Sequence, residues 1–322
     1  MKKDTEFHSA LAPRMREFVD FKRMQGYDYT DQARTLGYFD RFLVEEPGWS
    51  HDSALALETL RRYVDTTEGL KPFTRSTRIS SVREFSRHLH ARNQHSAVLS
   101  RDVLPRVRRT ERFFLITPGQ VADLMGAAAT VLPGDGIRAR TVSLLIGVLY
   151  STGLRISEAL DLTLGDIDRE RSTLHVARGK FAKERLAPMS ASTLAAVTAY
   201  LSVREPHAGN CPGSPLFIAS HDTALTRAQA YRHFQRMCQR CGILGDPLPR
   251  LHDLRHNYAC RRLALWREAG LDIEALLPVL ATAMGHVNIL ATQRYLHIDA
   301  IGLLDASEKF NTYSTNPREQ SK

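Results

Sequence analysis

Apolar residues recur at helical spacing in four separate stretches of the first hundred positions. Within each stretch they stand three or four residues apart, which is the spacing of one buried helix face. The stretches are Phe18–Met24, Tyr38–Leu43, Leu55–Tyr63 and Thr74–Arg92. The pattern therefore predicts an N-terminal domain of four helices over residues 1–100.

Residues 101–112 are basic, polar and interrupted by proline, and they therefore predict a linker. The pattern after this linker is different. Ile137–Ser151 is apolar nearly all round, as is typical of a helix inside a core. Short strands are predicted at Thr173–Val176, Arg185–Met189 and Leu216–Ile218, the first two on either side of a turn. Further helices are predicted from Thr117 and at about 191–204, 225–242, 251–265 and 298–310.

These elements predict a mainly α chain with a second domain over residues 113–310. That domain is expected to be mixed α+β, mostly helical with a small hairpin or sheet. Residues 311–322 are polar and end the sequence, so we expect a flexible tail there. At 322 residues the chain is long enough for two domains, each with its own core.

The formal net charge is +9 and the sequence pI is about 9.6. A basic balance of this kind favours polyanionic partners such as nucleic acid. Arginines concentrate in the predicted fourth helix and in the linker, where we expect them to contact a DNA backbone. They are Arg75, Arg78, Arg83 and Arg87 in the helix, and Arg106, Arg108 and Arg109 in the linker.

The sequence predicts no membrane span, no secretion signal and no disulfide framework. No run of 18 apolar residues occurs, and the first residues lack the apolar core of a signal peptide. Four cysteines are too few and too scattered for a framework of disulfides. Cys238 and Cys241 have zinc-like spacing, but they lie in an apolar-periodic helix without a second such pair. Packing is therefore their expected role.

Residues that can act on a phosphodiester gather between positions 251 and 295. His252 and Arg255 are three positions apart and share one face of the predicted helix. His286 follows a glycine, and Tyr295 stands nine residues later in a short apolar-periodic run. Arginine grips phosphate oxygens, histidine moves protons or donates to an oxyanion, and tyrosine can attack phosphorus.

This arrangement resembles the C-terminal signature of the tyrosine recombinase (phage integrase) family. Two upstream segments extend the resemblance: Thr152–Glu158 supplies an arginine at a helix turn, and Gly179–Arg185 supplies a lysine on a hairpin. The four motifs occur in the family's order across Thr117–Ile298, and together they are far more specific than any one alone. The resemblance implies a SAM-like, DNA-binding core-binding domain followed by a catalytic domain.

The resemblance also implies site-specific recombination, in which DNA strands are cut and rejoined through a covalent 3′-phosphotyrosine. Neither a metal nor another cofactor is expected. Arg155 and Arg255 would hold the non-bridging oxygens of the phosphate, and His286 would donate a hydrogen bond to one of them. These groups would stabilise the charge of a pentacoordinate phosphorus.

Proton transfer would fall to the remaining residues of the set. Lys180 would protonate the leaving 5′-oxygen, and His252 would orient or deprotonate Tyr295. Lys183 competes with Lys180, but the Gly-Lys position matches the family better. His256, four residues after His252, is expected to be a buried helix histidine behind the reacting groups.

The partners implied by the resemblance are double-stranded DNA with specific recombination sites and three further copies of the chain. A homotetramer would assemble on paired sites, with accessory or partner recombinases, in the cytoplasm and associated with the nucleoid. The long span between Arg255 and Gly285 resembles transposon-borne members. Apolar residues that could dock a final helix on a neighbour are Ile301, Leu303, Leu304 and Phe310.

Three other functions remain open at this point. His252, His256 and His286 could bind zinc in a metal-dependent hydrolase, but Asp253 stands where a His-Glu-x-x-His motif has glutamate. A type IB topoisomerase shares the tyrosine chemistry. A catalytically silent DNA-binding relative would keep the fold without the reaction.

Overall fold

The computed structural model describes residues 5–46, 54–92, 94–105, 114–132, 136–177, 184–245, 248–286 and 288–296. The chain divides into two compact units, Met1–Glu111 and Arg112–Lys322. Four predicted features lie outside the described residues: the hairpin turn with Lys180, the final helix at 298–310 with its apolar strip, the tail at 311–322, and the linker arginines. The last group is Arg106, Arg108 and Arg109.

Four helices form the described part of the N-terminal unit. They are α1 (Ala12–Met24), α2 (Thr30–Glu45), α3 (Leu57–Asp65) and α4 (Pro72–Arg92). Their apolar faces meet in one core around Phe18, Phe39 and Phe85. The mainly helical prediction is confirmed here, and each predicted helix is present.

The third helix begins later than predicted. Leu55 was expected inside it but precedes it, although its side chain is fully buried. The reason is tertiary: the Leu55 N–H donates to Ser96 Oγ at 3.3 Å, and the Leu55 carbonyl accepts from the Ala97 N–H at 2.7 Å. These bonds to a distant segment hold Leu55 outside the helix.

The C-terminal unit combines helices with two small antiparallel sheets. Its helices are α5 (Pro118–Val131), α6 (Ile137–Thr152), α7 (Ile156–Leu160), a 3₁₀ turn (Leu164–Asp166), α8 (Ala191–Ala208), α9 (Arg227–Arg240), α10 (Leu251–Glu268), α11 (Ile273–Met284) and a helical stretch at 290–296. Its strands are β1 (Ile167–Asp168), β2 (Thr173–Val176), β3 (Arg185–Pro188), β4 (Ile218–Ser220) and β5 (Thr223–Ala224).

Helix α6 lies in the main core of this unit, as its all-round apolar sequence predicts. Ten of its residues are buried, and it packs against α5, α8 and α10. It ends at Gly153, which adopts φ +65°. A Cβ at Gly153 would lie 2.4 Å from Cδ1 of Tyr258 on α10, so only glycine allows this close approach.

The three-stranded sheet β1-β2-β3 carries the predicted hairpin. Thr173 pairs with Pro188 and Val176 with Arg185, so the two strands end together just before residues 178–183. The predicted strand at Leu216–Ile218 begins only at Ile218. Leu216 is instead fixed by its N–H, which donates to the Leu162 carbonyl at 2.8 Å.

The surroundings of Cys238 on α9, the groups that could bind a metal and the length of the apolar helices bear on the remaining expectations. Cys238 is fully buried in the core of the C-terminal unit, and burial raises the pKa of its thiol to about 12. Among the residues described, no three histidine, cysteine or acidic side chains form a group that could hold a metal. Within the same residues, no helix is both long enough and apolar enough to cross a membrane.

Candidate active site

Helix α10 buries Arg255 beside two helix ends. Its Nη1 donates to the Gly153 carbonyl at 2.5 Å, and its Nη2 donates to the Met284 carbonyl at 2.6 Å. The side chain therefore bridges the C-terminal ends of α6 and α11, where backbone carbonyls carry partial negative charge. Burial lowers the pKa of Arg255 to about 9, with a further contribution from the nearby charge of Arg155, so the guanidinium stays charged at neutral pH.

Arg155 emerges two residues after Gly153 and precedes the first turn of α7. Its Nη1 donates to Glu158 Oε1 at 2.6 Å, and its Nη2 donates to the Gly285 carbonyl at 2.9 Å. Its pairing with Glu158 could have been an ordinary surface bridge. The structure shows otherwise, because Glu158 is only 4% exposed.

Glu158 also binds Arg185, the first residue of β3. Arg185 donates from Nη1 and Nη2 to the two oxygens of Glu158 at 3.1 and 2.6 Å, and from Nε to the Ala283 carbonyl at 3.1 Å. Burial alone would raise the pKa of the Glu158 carboxyl, but hydrogen bonds from Arg185 and from the Arg155 N–H lower it to about 2. This carboxylate thus joins the hairpin to Arg155.

The turn at Gly285, whose carbonyl binds Arg155, also positions the next residue, His286. Gly285 adopts φ +64°, and a Cβ there would lie 2.8 Å from Nη1 of Arg185. The His286 N–H donates to the Ala281 carbonyl at 2.8 Å, and its ring Nδ1 lies 2.7 Å from Thr292 Oγ1. Because Thr292 belongs to the 290–296 helix, this bond orients the imidazole relative to the segment that carries the tyrosine.

Tyr295 is fully buried among these groups. Its hydroxyl lies 2.8 Å from Nδ1 of His256 and accepts from Nη2 of Arg294 at 3.4 Å. The ring of His286 is stacked on the tyrosine ring at a centroid distance of 6.3 Å. Burial raises the pKa of the Tyr295 phenol, while the charge of Arg294 acts in the opposite direction.

The three histidines of the site are uncharged at neutral pH. Burial is the main cause in each case, and neighbouring positive charge adds to it. The pKa of His252 falls to about 4, that of His256 to about 2 and that of His286 to about 3. His252 and His256 meet edge to face with ring centroids 4.5 Å apart. The site therefore places neutral imidazoles, which can donate or accept hydrogen bonds, beside arginines that can hold an anion.

Five of the six residues predicted for catalysis lie in the described part of the chain and belong to this cluster. They are Arg155, His252, Arg255, His286 and Tyr295. The sixth, Lys180, lies outside it. His256, expected behind the site, makes the hydrogen bond to the tyrosine that was expected of His252.

Three polar residues of the cluster were absent from the predicted set. Arg294 is adjacent to Tyr295, and Glu158 lies three residues after Arg155, so their positions in sequence offered a signal for both. Arg185 offered a weaker one, as a basic residue at the start of a predicted strand.

The arginines predicted to contact DNA from α4 have different surroundings. Arg83 donates from Nε to the Leu99 carbonyl at 3.0 Å, and Arg75 donates to Thr67 Oγ1 at 3.3 Å. Arg78 places its guanidinium carbon 3.6 Å from the centroid of the Tyr38 ring. Arg87 is exposed. Part of this basic face therefore supports the fold of the N-terminal unit.

A model of the phage integrase family matches residues 115–300. The protein y4rE of Sinorhizobium fredii (strain NBRC 101917 / NGR234), which carries the name integrase/recombinase, is 30% identical over 292 residues, covering 91% of this chain and 93% of that relative. Tyrosine recombinase XerC of Pelobacter propionicus is 28% identical, covering 89% and 90%. The crystal structure of the XerH site-specific recombinase, bound to a palindromic difH substrate in a post-cleavage complex, has a TM-score of 0.65 at 18% identity, covering 88% and 80%. This last likeness shows a shared fold.

Proposed function

This chain belongs to the phage integrase family of tyrosine recombinases, and we propose that it is a site-specific DNA recombinase with Tyr295 as its nucleophile. The observation that carries the assignment is the convergence of Arg155, Arg255 and His286 around a buried tyrosine. These residues come from sequence positions as far apart as 155 and 295. Packing of apolar residues alone would not bring two arginines to the same helix ends.

The reaction exchanges one phosphoester for another. The phenol oxygen of Tyr295 forms a bond to phosphorus, the bond from phosphorus to the 5′-oxygen breaks, and a 3′-phosphotyrosine remains. Attack by the 5′-hydroxyl of another strand reverses the step and frees the tyrosine. Because each step replaces one phosphoester by another, the bond energy is conserved and the DNA can be resealed.

The two arginines supply the charge stabilisation that this transition state needs. Arg155 and Arg255 bind the non-bridging oxygens, and both are oriented in advance by backbone carbonyls at the Gly153 and Gly285 turns. His286 donates a hydrogen bond to one of the same oxygens. The bond from its Nδ1 to Thr292 leaves Nε2 for the phosphate.

Lys180 is the proposed acid that protonates the leaving 5′-oxygen. Its support is the hairpin: β2 and β3 pair up to Val176 and Arg185, and Arg185 ties the base of the hairpin to Glu158. A lysine in this role has to reach the bridging oxygen of the scissile phosphate. His252 orients the tyrosine through the adjoining ring of His256.

DNA binding and assembly follow from the same family membership. We propose that residues 1–100 form a DNA-binding domain and that residues 101–112 link it to the catalytic domain at 113–310. The partner is double-stranded DNA with specific recombination sites. A homotetramer on paired sites, with accessory or partner recombinases, is the working assembly, and the cytoplasmic nucleoid is its location.

Replacement of the nucleophile tests the assignment. Tyr295→Phe should abolish covalent attachment to DNA while leaving binding nearly intact, because only the reacting oxygen is lost. The measurement uses a nicked suicide substrate, with the adduct resolved on a denaturing gel and binding measured by mobility shift. Tyr231→Phe, on α9, is the matched control and should form adduct normally. Adduct from Tyr295→Phe at the wild-type yield would refute the proposal.

A further inference from the structure

Two side chains contact the Tyr295 hydroxyl oxygen, which is the nucleophile of the proposed reaction. His256 Nδ1 is 2.8 Å from the Tyr295 hydroxyl, and Arg294 Nη2 is 3.4 Å from it. The guanidinium carbon of Arg294 lies 5.2 Å from the centroid of the tyrosine ring. Neither residue belongs to the set implied by the family resemblance, so the chemistry of these contacts has to be derived from the site itself.

A buried phenol is a weak nucleophile as long as it keeps its proton. Full burial makes loss of that proton harder, because a phenolate in an apolar surrounding lacks the stabilisation of water. The site must therefore provide a base within hydrogen-bond distance and a positive charge near the oxygen. His256 meets the first requirement by distance, and Arg294 meets the second by charge.

We propose that His256 accepts the phenol proton of Tyr295 during cleavage and that Arg294 stabilises the negative charge developing on that oxygen. This inference rests on the proposed function, since it assumes that Tyr295 is the nucleophile. It assigns the proton transfer to the ring that touches the hydroxyl, and it leaves His252 to orient that ring.

The step balances in both directions. The Tyr295 proton moves to Nδ1 of His256, the phenol oxygen bonds to phosphorus, and the leaving 5′-oxygen receives a proton from the proposed acid, Lys180. In the resealing step a 5′-hydroxyl attacks, its proton returns to the lysine, and the departing phenolate takes its proton back from His256. No oxidant, metal or external base is needed.

His256 is uncharged before the reaction, as a proton acceptor must be. The residue is 3% exposed, and burial together with the neighbouring His252 keeps its ring neutral at neutral pH. With its own proton on Nε2, it presents a lone pair on Nδ1 to the phenol. The phosphodiester that enters the site carries a negative charge, which favours the imidazolium formed when the proton arrives.

Arg294 has a structural advantage over more distant arginines. It immediately precedes Tyr295 in the 290–296 helix, so it remains beside the phenol in any movement of that helix as a unit. Arg155 and Arg255 are instead fixed to the turns at Gly153 and Gly285. Charge on the nucleophile and charge on the phosphate are thus stabilised by different arginines.

The experiment isolates the nucleophile side of the reaction. Single-turnover cleavage is measured on a substrate with sulfur at the 5′-bridging position, whose leaving group needs no acid. His256→Asn keeps a hydrogen-bonding atom near the place of Nδ1 but cannot take a proton at neutral pH. His256→Ala removes the ring and leaves space for imidazole added to the buffer. His252→Asn and His252→Ala are the matched comparisons.

We expect His256→Asn to slow cleavage by about 10²–10⁴-fold, the usual range for loss of a general base. Its rate should rise with pH over a range in which the wild-type rate is flat. Added imidazole should restore part of the activity of His256→Ala but none of that of His252→Ala. Circular dichroism and DNA binding confirm that each variant folds.

Arg294 is tested by a charge series in the same assay. Arg294→Gln should slow cleavage by about 10²-fold, as for loss of one preorganised charge-stabilising group, and Arg294→Lys should recover part of the loss. Replacing Tyr295 by 3-fluorotyrosine, a more acidic phenol, should reduce the deficit of Arg294→Gln. Arg171→Gln, an exposed arginine on the turn before β2, controls for net charge and should cleave normally.

The outcomes separate this inference from the proposed function. If His256→Asn cleaves at the wild-type rate with the wild-type pH profile while Tyr295→Phe is inactive, the nucleophile stands and the assignment of the base is wrong. If imidazole rescues His252→Ala and not His256→Ala, the base is His252. If Tyr295→Phe still forms adduct, the proposed function itself fails.

Discussion

Arg255 is fixed by two backbone carbonyls, and Arg155 by one carbonyl and the Glu158 carboxylate, whereas the Tyr295 hydroxyl is held by the side chains of His256 and Arg294. The arginines use the turns at the ends of α6 and α11, which are parts of the core. The tyrosine uses an imidazole that can change its protonation and a guanidinium from its own helix. Two guanidinium groups thus charge one side of the site, and the other side combines a guanidinium with an imidazole that is neutral at neutral pH.

Under the proposed function, this difference divides the work of catalysis between the two sides of the site. Phosphate binding needs charges that are already in place, since reorganising them during the reaction would cost free energy. Proton transfer needs groups whose charge can change, and buried neutral histidines meet that need. Changes on the arginine side should therefore alter the stabilisation of charge, and changes on the tyrosine side should alter the dependence on pH.

The largest predicted effect is on the cleavage rate, and it compares the loss of Lys180 with the loss of Arg155. Lys180→Ala should slow cleavage by about 10²–10⁴-fold, because a 5′-alkoxide leaves poorly without a proton. A 5′-bridging sulfur needs no proton and should restore most of that loss. The same substrate should help Arg155→Ala far less, because that variant lacks charge stabilisation and not an acid. Cleavage rates on both substrates give the comparison.

Lys183 is the control for the register of the hairpin. Lys183→Ala should behave like the wild-type protein on both substrates. Sulfur rescue of Lys183→Ala, with none for Lys180→Ala, would transfer the role to Lys183. Equal rescue of Lys180→Ala and Arg155→Ala would remove the contrast between proton transfer and charge stabilisation.

The second prediction tests whether the buried carboxylate of Glu158, which binds Arg155, stabilises the part of the site that contains the arginines. Glu158→Gln should destabilise the C-terminal unit by roughly 3 kcal/mol at pH 7, from the lowering of the Glu158 pKa from its ordinary value to about 2. The wild-type contribution is complete above the unfolded-state pKa near 4.5 and is lost as pH falls towards 2. The difference between wild type and variant should therefore shrink as the pH is lowered.

Urea unfolding at pH 7, 5, 4 and 3 measures that difference. Glu205→Gln, an exposed glutamate on α8, provides the control and should leave stability nearly unchanged at each pH. A constant difference between wild type and Glu158→Gln from pH 7 to 3 would show that the ion pairs with Arg155 and Arg185 do not stabilise the site.

The smallest predicted effect is on DNA binding, and it compares two arginines of the N-terminal unit. Arg83 is fixed to the Leu99 carbonyl, whereas Arg87 is exposed on the same helix. Arg87→Ala should reduce the slope of log K against log salt by about 0.9, the value for one lost phosphate contact. Arg83→Ala should leave the slope unchanged and lower the stability of the unit. Equal slopes for Arg87→Ala and wild type would place Arg87 away from DNA.

Local patterns were enough to predict most elements that carry the site. The all-round apolar run of α6 and the glycine that ends it depend on neighbours in sequence, and so does the hairpin β2-β3. Leu55 was misplaced because its backbone pairs with Ser96 and Ala97, some forty residues away. Side-chain spacing contains no information about such a partner.

The identity of the histidine on Tyr295 could not be predicted for a related reason. His252 and His256 are four residues apart and lie on one face of α10, so helical spacing favours neither. The choice depends on where the 290–296 helix lies against that face. In the same way, Arg83 is on the polar side of α4 by its spacing, but only the tertiary fold brings the Leu99 carbonyl to it.

The two glycine turns are positions at which a mutation outside the proposed catalytic set would disturb the site. Gly153 has no room for a Cβ beside the Tyr258 ring, and its carbonyl binds Arg255; Gly285 adopts φ +64°, which strains any other residue, and its carbonyl binds Arg155. A gene copy that keeps every proposed catalytic residue is therefore expected to lose activity by one codon change at either glycine. When gene copies are compared for activity, these two positions should be considered together with the nucleophile.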